Sequence, residues 1–128
     1  MRILMLLICA VALAEPSGVQ AKAIMDPAEV KLPAMDGKLT TGKAGYDKFC
    51  VSCHGANLVG TDKGPTFLHR VYHPGHHGDR AFLLAPMQGA RQHHWKFGDM
   101  KPVPGIKQQH LETIIHYIRA IQKANGLF

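Results

Sequence analysis

The sequence contains few cysteines, few acidic residues and no apolar run of membrane-spanning length. Three cysteines occur in 128 residues, and Cys9 belongs to the first ten, so disulfides are excluded as the main source of stability. Nine acidic residues face 15 Lys and Arg, and the resulting net charge of +6 favours acidic partners. No run reaches the ~20 apolar residues that a membrane span requires. The length fits one domain and is too short for a two-domain enzyme.

The N-terminus has the pattern of a secretory signal. Arg2 precedes an apolar run over residues 3–13, and Val19-Gln20-Ala21 ends in the small residue that signal peptidase prefers. We therefore predict a signal peptide over residues 1–21. A lipoprotein anchored at Cys9 is the alternative, but Ile8 stands where such signals have a small residue. Removal of residues 1–21 leaves the net charge at +6, because it takes away one Arg and one Glu.

The central motif is Cys50-Val51-Ser52-Cys53-His54, a C-x-x-C-H pattern typical of covalent haem c attachment. Positions i and i+3 share one face of a helical turn, so the thiols of Cys50 and Cys53 can reach two vinyl groups on one edge of a porphyrin. His54 follows at i+4 and is predicted to bind the iron on one face. The motif predicts one haem c per chain.

Two other readings of these cysteines are open. A thioredoxin-like redox pair uses C-x-x-C, but no buried strand leads into Cys50. A zinc site would combine Cys50 and Cys53 with His69 and His73, whose spacing falls within the zinc-finger range. Against zinc stand the export signal, the Pro and Gly residues over 64–78 and the unexplained His54.

Helical patterns flank the motif. Upstream, Gly42, Tyr46 and Cys50 recur every four residues. Downstream, apolar residues with helical spacing form one stripe; they are Leu111, Ile114, Ile115, Ile118 and Ile121, with Tyr117 adjoining. Over residues 41–125 this arrangement resembles the small class I cytochromes c.

The resemblance implies an all-α fold with three to four helices packed around the covalently bound haem. It implies that the first and last helices cross where Gly42 and Tyr46 meet Ile114 and Tyr117, and we also expect Tyr46 beside the haem. It implies further that the carbonyl of Pro65 accepts the Nδ1 proton of the ligand histidine. The function implied is a one-electron carrier, not an enzyme, that serves redox partner proteins.

A second iron ligand is sought among Met, His and Lys. Met100 lies in an irregular, Pro-containing loop before the last helix, where family members carry their methionine. Lys101 follows it directly, where Pro is commoner in the family. We predict Met100 as this ligand, and we expect Trp95 and Phe97 to form walls of the haem pocket, because their segment is similar to one in a subset of small bacterial members.

The predicted organisation is a signal peptide over residues 1–21, a flexible arm over 22–40 and a cytochrome c domain over 41–128. The first helix is expected to start at a Thr41 cap and the last to span about residues 108–123, ended by Asn125-Gly126. A middle helix is expected from an Asp79 cap to residue 90, kinked or split by Pro86. A further helical turn is expected near residues 67–71.

Six histidines lie within residues 69–94, including the pairs His76-His77 and His93-His94. Imidazole suits copper, zinc and nickel. One alternative function is therefore a haem protein with a second, His-based copper site, although adjacent histidines usually point in different directions. Another is a peroxidase-like haem enzyme, if Met100 is displaced near His93 or His94. Haem c attachment and the short signal together predict a bacterial periplasmic location. Docking on acidic partner surfaces is expected to use lysines, among them Lys43, Lys48, Lys63, Lys96 and Lys101.

Overall fold

A computed structural model describes residues 25–128. This part of the chain contains four α-helices, which are α1 (Gly37–Phe49), α2 (Val51–His54), α3 (Asp79–Gln88) and α4 (Gln108–Ala124), and three 3-10 turns at Pro27–Glu29, Ala56–Leu58 and Arg70–Tyr72. Its only β pairing is an isolated bridge between Ala90 and Met100. The all-α prediction is confirmed. The predicted signal peptide with Cys9, and the first residues of the predicted arm, lie outside the described residues.

Helices α1 and α4 cross in close contact, and this crossing is the main helix–helix interface. A Cβ atom added at Gly42 would lie 2.2 Å from the carbonyl oxygen of Thr113 and 2.8 Å from the Cβ of Tyr117. The rings of Tyr46 and Tyr117 lie 5.7 Å apart between centroids. The predicted meeting of Gly42 and Tyr46 with α4 is therefore confirmed, and only glycine at position 42 permits this separation.

The apolar stripe of α4 forms the centre of the core. All five predicted stripe residues and Tyr117 are buried. The helix begins at Gln108 and ends at Ala124, with Asn125 as its C-cap. The helix that the sequence predicted over residues 108–123 is thus confirmed to within one residue. Burial of an amphipathic face, rather than helix propensity, accounts for most of a helix's stability.

Helix α1 starts five residues earlier than predicted. Its N-cap is Asp36, whose carboxylate accepts a hydrogen bond from the backbone N–H of Leu39 at 2.8 Å. Thr41 lies inside the helix instead, where its hydroxyl donates to the carbonyl of Gly37. The prediction of a Thr41 cap is wrong because an equally good cap occurs upstream and Leu39 can be buried only if the helix includes it.

Helix α3 also differs from its prediction in detail. Gly78, not Asp79, is the N-cap, and Pro86 lies inside one continuous helix that ends at Gln88. Pro86 lacks the N–H that would bond to the Phe82 carbonyl, but it lies in the last turn and the helix continues past it to Gln88, so the expected split does not occur. The side chain of Asp79 does not cap the helix. Its Oδ1 instead forms a salt bridge with Nε of Arg119 in α4, at 2.8 Å. The predicted turn near residues 67–71 is a 3-10 turn at Arg70–Tyr72.

The described part of the predicted arm is attached to the domain. The side chain of Asn125 accepts from the N–H of Lys31 at 3.0 Å and donates to the Lys31 carbonyl at 2.9 Å. Asn57 donates to the carbonyl of Pro27, and Val30 belongs to the buried core. Residues 27–31 therefore cover the end of α4. Among residues 25–128, no helix is long and apolar enough to cross a bilayer.

Candidate cofactor site

The C-x-x-C-H motif occupies a single helical turn that follows a break in the chain direction. Cys50 has φ −124° and separates α1 from α2, although its N–H still bonds to the Tyr46 carbonyl at 2.8 Å. The N–H groups of Cys53 and His54 both bond to the Cys50 carbonyl, at 3.2 and 2.9 Å. Both cysteines and His54 line a common cavity. The predicted i, i+3, i+4 arrangement on one turn is thus present.

A tight loop over residues 55–66 follows His54 and contacts both its backbone and its imidazole. Gly55 and Gly60 have positive φ angles of 74° and 83°, and a Cβ at Gly55 would lie 2.3 Å from the Gly60 carbonyl oxygen. The Gly60 N–H bonds to the His54 carbonyl at 2.7 Å, and the hydroxyl of Thr61 donates to the Cys53 carbonyl at 2.6 Å. This loop returns the chain to the imidazole of His54.

The imidazole of His54 has a fixed orientation. Its Nδ1 lies 2.9 Å from the carbonyl oxygen of Pro65, and the ring of Phe67 stacks on it with centroids 4.1 Å apart. Because a carbonyl can only accept, Nδ1 carries the proton and Nε2 keeps its lone pair. Burial lowers the pKa of His54, against a smaller raising effect of the Pro65 hydrogen bond. The neutral ring can therefore act as a ligand.

Met100 is held by contacts with the end of α3. It forms two backbone hydrogen bonds with Ala90, both of 2.9 Å. A Cβ at Gly89, where φ is +83°, would lie 2.8 Å from the Met100 carbonyl oxygen, and the Val103 N–H bonds to the Pro86 carbonyl at 2.8 Å. The loop that carries Met100 is thus fixed at several points, and Lys101 after the methionine does not prevent this.

Two adjoining cavities of about 330 and 340 Å³ form one cleft between these elements. The residues that line both are His54, Pro65, Phe67, Phe82, Pro86, Phe97, Gly98 and Met100. Cys50, Cys53 and the α4 stripe except Ile121 line one cavity only. His77, His93, His94 and Trp95 line the other cavity only. His54 and Met100 therefore border the same space, with the two thiols along one side.

The structure brings all but one of the predicted pocket residues to this cleft. Pro65 and Phe97 line both cavities, and Trp95 lines one while stacking on Tyr72 at 5.9 Å. Tyr46 lines neither cavity. It is fully buried at the α1–α4 crossing, where its hydroxyl donates to the Gly55 carbonyl at 2.8 Å. Its position on the face of α1 toward α4 directs it away from the cleft.

The cleft fits a porphyrin bound through sulfur and nitrogen. Its walls are largely apolar, and its donors are two thiols, an imidazole with a free Nε2 and a thioether, which is the donor set of covalently bound haem. Burial and the neighbouring Cys53 raise the pKa of the Cys50 thiol to about 12. The thiol of Cys50 is thus protonated and neutral, and a thioether linkage at this partly buried position carries no charge to desolvate either.

The fold and this cleft define a small covalent haem protein. A family model described as Cytochrome c matches residues 39–122, which is more than half of the chain. The chain therefore belongs to the cytochrome c family. It is a haem-binding electron carrier with covalently bound haem c and redox partner proteins, in a family whose members are typically carriers and not enzymes. No curated protein and no solved structure matches it.

The zinc site considered as an alternative does not form, because its cysteines and histidines do not come together. Within residues 25–128, the only group of three or more His, Cys, Asp or Glu side chains close enough to hold one metal ion is His76, His77 and His94. His69 instead caps a 3-10 turn by accepting from the Val71 N–H, and His73 accepts from the Gly75 N–H.

Sequence reasoning also missed residues that shape the site. Phe67 stacks on His54, and Asp99 closes the loop before Met100 by accepting from the Gln92 N–H at 2.9 Å. Neither residue belongs to a motif, and both contacts depend on the tertiary fold. No local signal in the sequence distinguishes them from other core or loop residues.

Proposed function

We propose that the chain is an exported one-electron carrier whose single haem c is attached through Cys50 and Cys53 and whose iron is bound by His54 and Met100. The observation that carries this proposal is that His54 and Met100 line both halves of one apolar cleft with the two cysteines along its side. When bound, the haem supplies a one-electron iron couple.

The residues around the cleft have distinct roles in this proposal. Pro65 holds the Nδ1 proton of His54, which fixes the ring and keeps Nε2 available. Phe67 packs against the same ring. Phe97 and Trp95 exclude water from the cleft, and the apolar surroundings favour the less charged, reduced state.

Binding of the iron by both His54 and Met100 would leave no coordination position for a substrate, which favours electron transfer over catalysis. The loop that carries Met100 is fixed by its bridge to Ala90 and by Val103, so little rearrangement accompanies a change of oxidation state. A peroxidase-like activity requires loss of Met100 from the iron. Peroxide turnover in the untreated protein would favour that alternative.

The proposed organisation is a signal peptide over residues 1–21, an arm that the sequence predicts over 22–40 and a cytochrome c domain that it predicts over 41–128, in a protein of the bacterial periplasm. Because α1 begins at Gly37 and Leu39 is buried, the domain extends into the last residues of that arm. The N-terminal pattern of the sequence supports export. N-terminal sequencing of the haem-containing protein from a periplasmic extract checks this: a start at Lys22 supports it, and a start at Met1 contradicts it.

The substitution Met100→Ala tests the axial assignment. We expect the ferric protein to lose the weak sulfur-to-iron charge-transfer band and the reduction potential to fall, because a thioether ligand favours the ferrous state. The matched control is Met87→Ala. Met87 is 44% exposed and lines neither cavity, so its loss should leave the band and the potential unchanged. A band that survives Met100→Ala would refute the assignment.

A further inference from the structure

Four histidines crowd together at one side of the cleft. The Nε2 atoms of His76 and His94 lie 3.3 Å apart, and those of His77 and His93 lie 3.4 Å apart. The ligand atoms of His76, His77 and His94 all lie within 4.8 Å of one another. His76, His93 and His94 are exposed, so the cluster is open to solvent.

Two loops that are distant from each other in sequence create this cluster. His76 and His77 lie in a turn whose N–H groups both bond to the His73 carbonyl. Arg119 of α4 anchors that turn by donating to the carbonyls of Tyr72 and His77. The turn is therefore held from the core.

The second loop carries His93 and His94. Its ends are joined by the Ala90–Met100 bridge, and the Gln92 side chain accepts from the Gly98 N–H at 2.7 Å. Asp99 closes the same loop from the other side. Both histidine pairs are thus presented by loops with fixed backbones, a condition that precise metal ligation requires.

The hydrogen bonds of His77 and His93 determine their tautomers. Nδ1 of His77 lies 2.8 Å from the Val71 carbonyl oxygen, and Nδ1 of His93 lies 2.7 Å from the Arg91 carbonyl oxygen. Each Nδ1 must carry a proton, because carbonyls only accept. In the neutral rings, two Nε2 lone pairs therefore face each other at 3.4 Å. Such a pair is stabilised when a cation lies between its members, either a metal ion or the proton of one imidazolium ring.

The same contacts match the surroundings of protein metal sites. Ligating histidines typically donate their second N–H to a carbonyl or carboxylate, as His77 and His93 do here. With metal–nitrogen bonds of about 2.0–2.1 Å, tetrahedral ligation places ligand nitrogens about 3.3–3.4 Å apart. The two observed Nε2 separations agree with this spacing.

We propose that His76, His77 and His94 form a second metal site, separate from the haem iron, which binds one divalent transition-metal ion such as Cu²⁺ or Zn²⁺, with His93 adjoining through its contact with His77. Imidazole nitrogen is a ligand that these ions favour. The site borders the cleft through His77, His93 and His94. The proposal stands whether or not Met100 is the iron ligand, because it uses none of the residues assigned to the iron.

Calorimetric titration of Zn²⁺ into the chelator-treated holoprotein, prepared without a histidine tag, tests the proposal. We expect one ion per chain and an unchanged haem spectrum. With Cu²⁺, the electron paramagnetic resonance spectrum should show hyperfine splitting from several nitrogens. The variant His94→Gln should weaken binding at least about tenfold, since loss of an outer-shell partner alone has an effect of that size.

The matched control is His116→Gln, which changes an exposed histidine of α4 outside the cluster and should leave the affinity unchanged. Circular dichroism verifies that both variants are folded, and His76→Gln provides an independent second ligand change. Absence of uptake, or uptake that the cluster variants and the control reduce equally, would overturn the proposal. Failure of the haem assignments would appear instead in the absorption spectrum.

Discussion

At the scale of single residues, the direction in which a buried polar side chain points decides whether it can act as a ligand or holds the fold together. His54 and Tyr46 are both buried, and both use a carbonyl of the loop over residues 55–66. His54 faces the cleft, whereas the Tyr46 hydroxyl ends at Gly55. Both side chains are buried polar aromatic groups. Their roles differ because His54 points into the cleft from α2, whereas Tyr46 points from α1 toward α4.

The substitution Tyr46→Phe should act on stability with a definite pH dependence. At neutral pH it removes one buried hydrogen bond, so we expect a loss of about 1 kcal/mol in the free energy of unfolding. Burial, followed by the effect of Cys50, raises the pKa of Tyr46 above its usual value. The folded chain therefore keeps this proton while the unfolded chain releases it above about pH 10, which destabilises the native protein but not the variant.

The loss of unfolding free energy in Tyr46→Phe relative to the unchanged protein should thus shrink as the pH rises above about 10 and then reverse. Urea unfolding followed by circular dichroism at neutral and alkaline pH measures it. Tyr117→Phe should show the same alkaline trend up to about pH 12, because burial, with a contribution from Asp47, raises the Tyr117 pKa to about 12. A deficit that is independent of pH would contradict the explanation.

At the scale of elements, the parts predictable from sequence are those with strong local signals. Helix α4 has a long apolar period, and the C-x-x-C-H motif fits on one turn, so both were found. The start of α1 was misplaced because Asp36 and Thr41 are both acceptable caps and only the burial of Leu39 selects between them. A second, His-based metal site was only an alternative at the level of the sequence, because two loops must meet before their imidazoles do.

Gly42→Ala tests the closeness of the α1–α4 crossing. A Cβ there would lie 2.2 Å from a backbone carbonyl oxygen, which cannot move without separating the helices. We expect a loss of about 3 kcal/mol or more, at or beyond the upper end for overpacked cores. Gly37→Ala is the matched control in the same helix. No atom lies within 4 Å of its added Cβ, so a gain of up to about 1 kcal/mol is expected. Similar losses in both variants would disprove the steric explanation.

At the scale of the whole molecule, the positive net charge includes two lysines that, with Asp99, border the cavity lined by the thiols. The full chain carries a net charge of +6. Of the lysines named as docking candidates, Lys63 and Lys101 line the same cavity as Cys50 and Cys53. Lys43 is paired with Asp47 on α1 and is less available to a partner. The side of the cleft that carries the thiols is therefore a candidate contact surface for an acidic redox partner.

Small charged oxidants can measure this field without knowledge of the natural partner. We expect oxidation of the reduced protein by the anionic hexacyanoferrate(III) to slow as salt is added, because ions screen the attraction over a Debye length of about 10 Å at 0.1 M. Oxidation by a cationic cobalt(III) complex should accelerate under the same conditions, because salt screens a repulsion. Stopped-flow absorbance measures both rates.

The combined substitution of Lys63→Gln and Lys101→Gln should lower the rate with the anionic oxidant several-fold at low salt and flatten its salt dependence. Lys123→Gln is the matched control, since it removes the same charge from an exposed position that lines neither cavity. If local charge beside the cleft directs the encounter, the decrease in the rate with the anionic oxidant must be more than twice as large in the double variant as in the control. If only the net charge matters, each lysine contributes alike, and the control then loses half as much as the double variant.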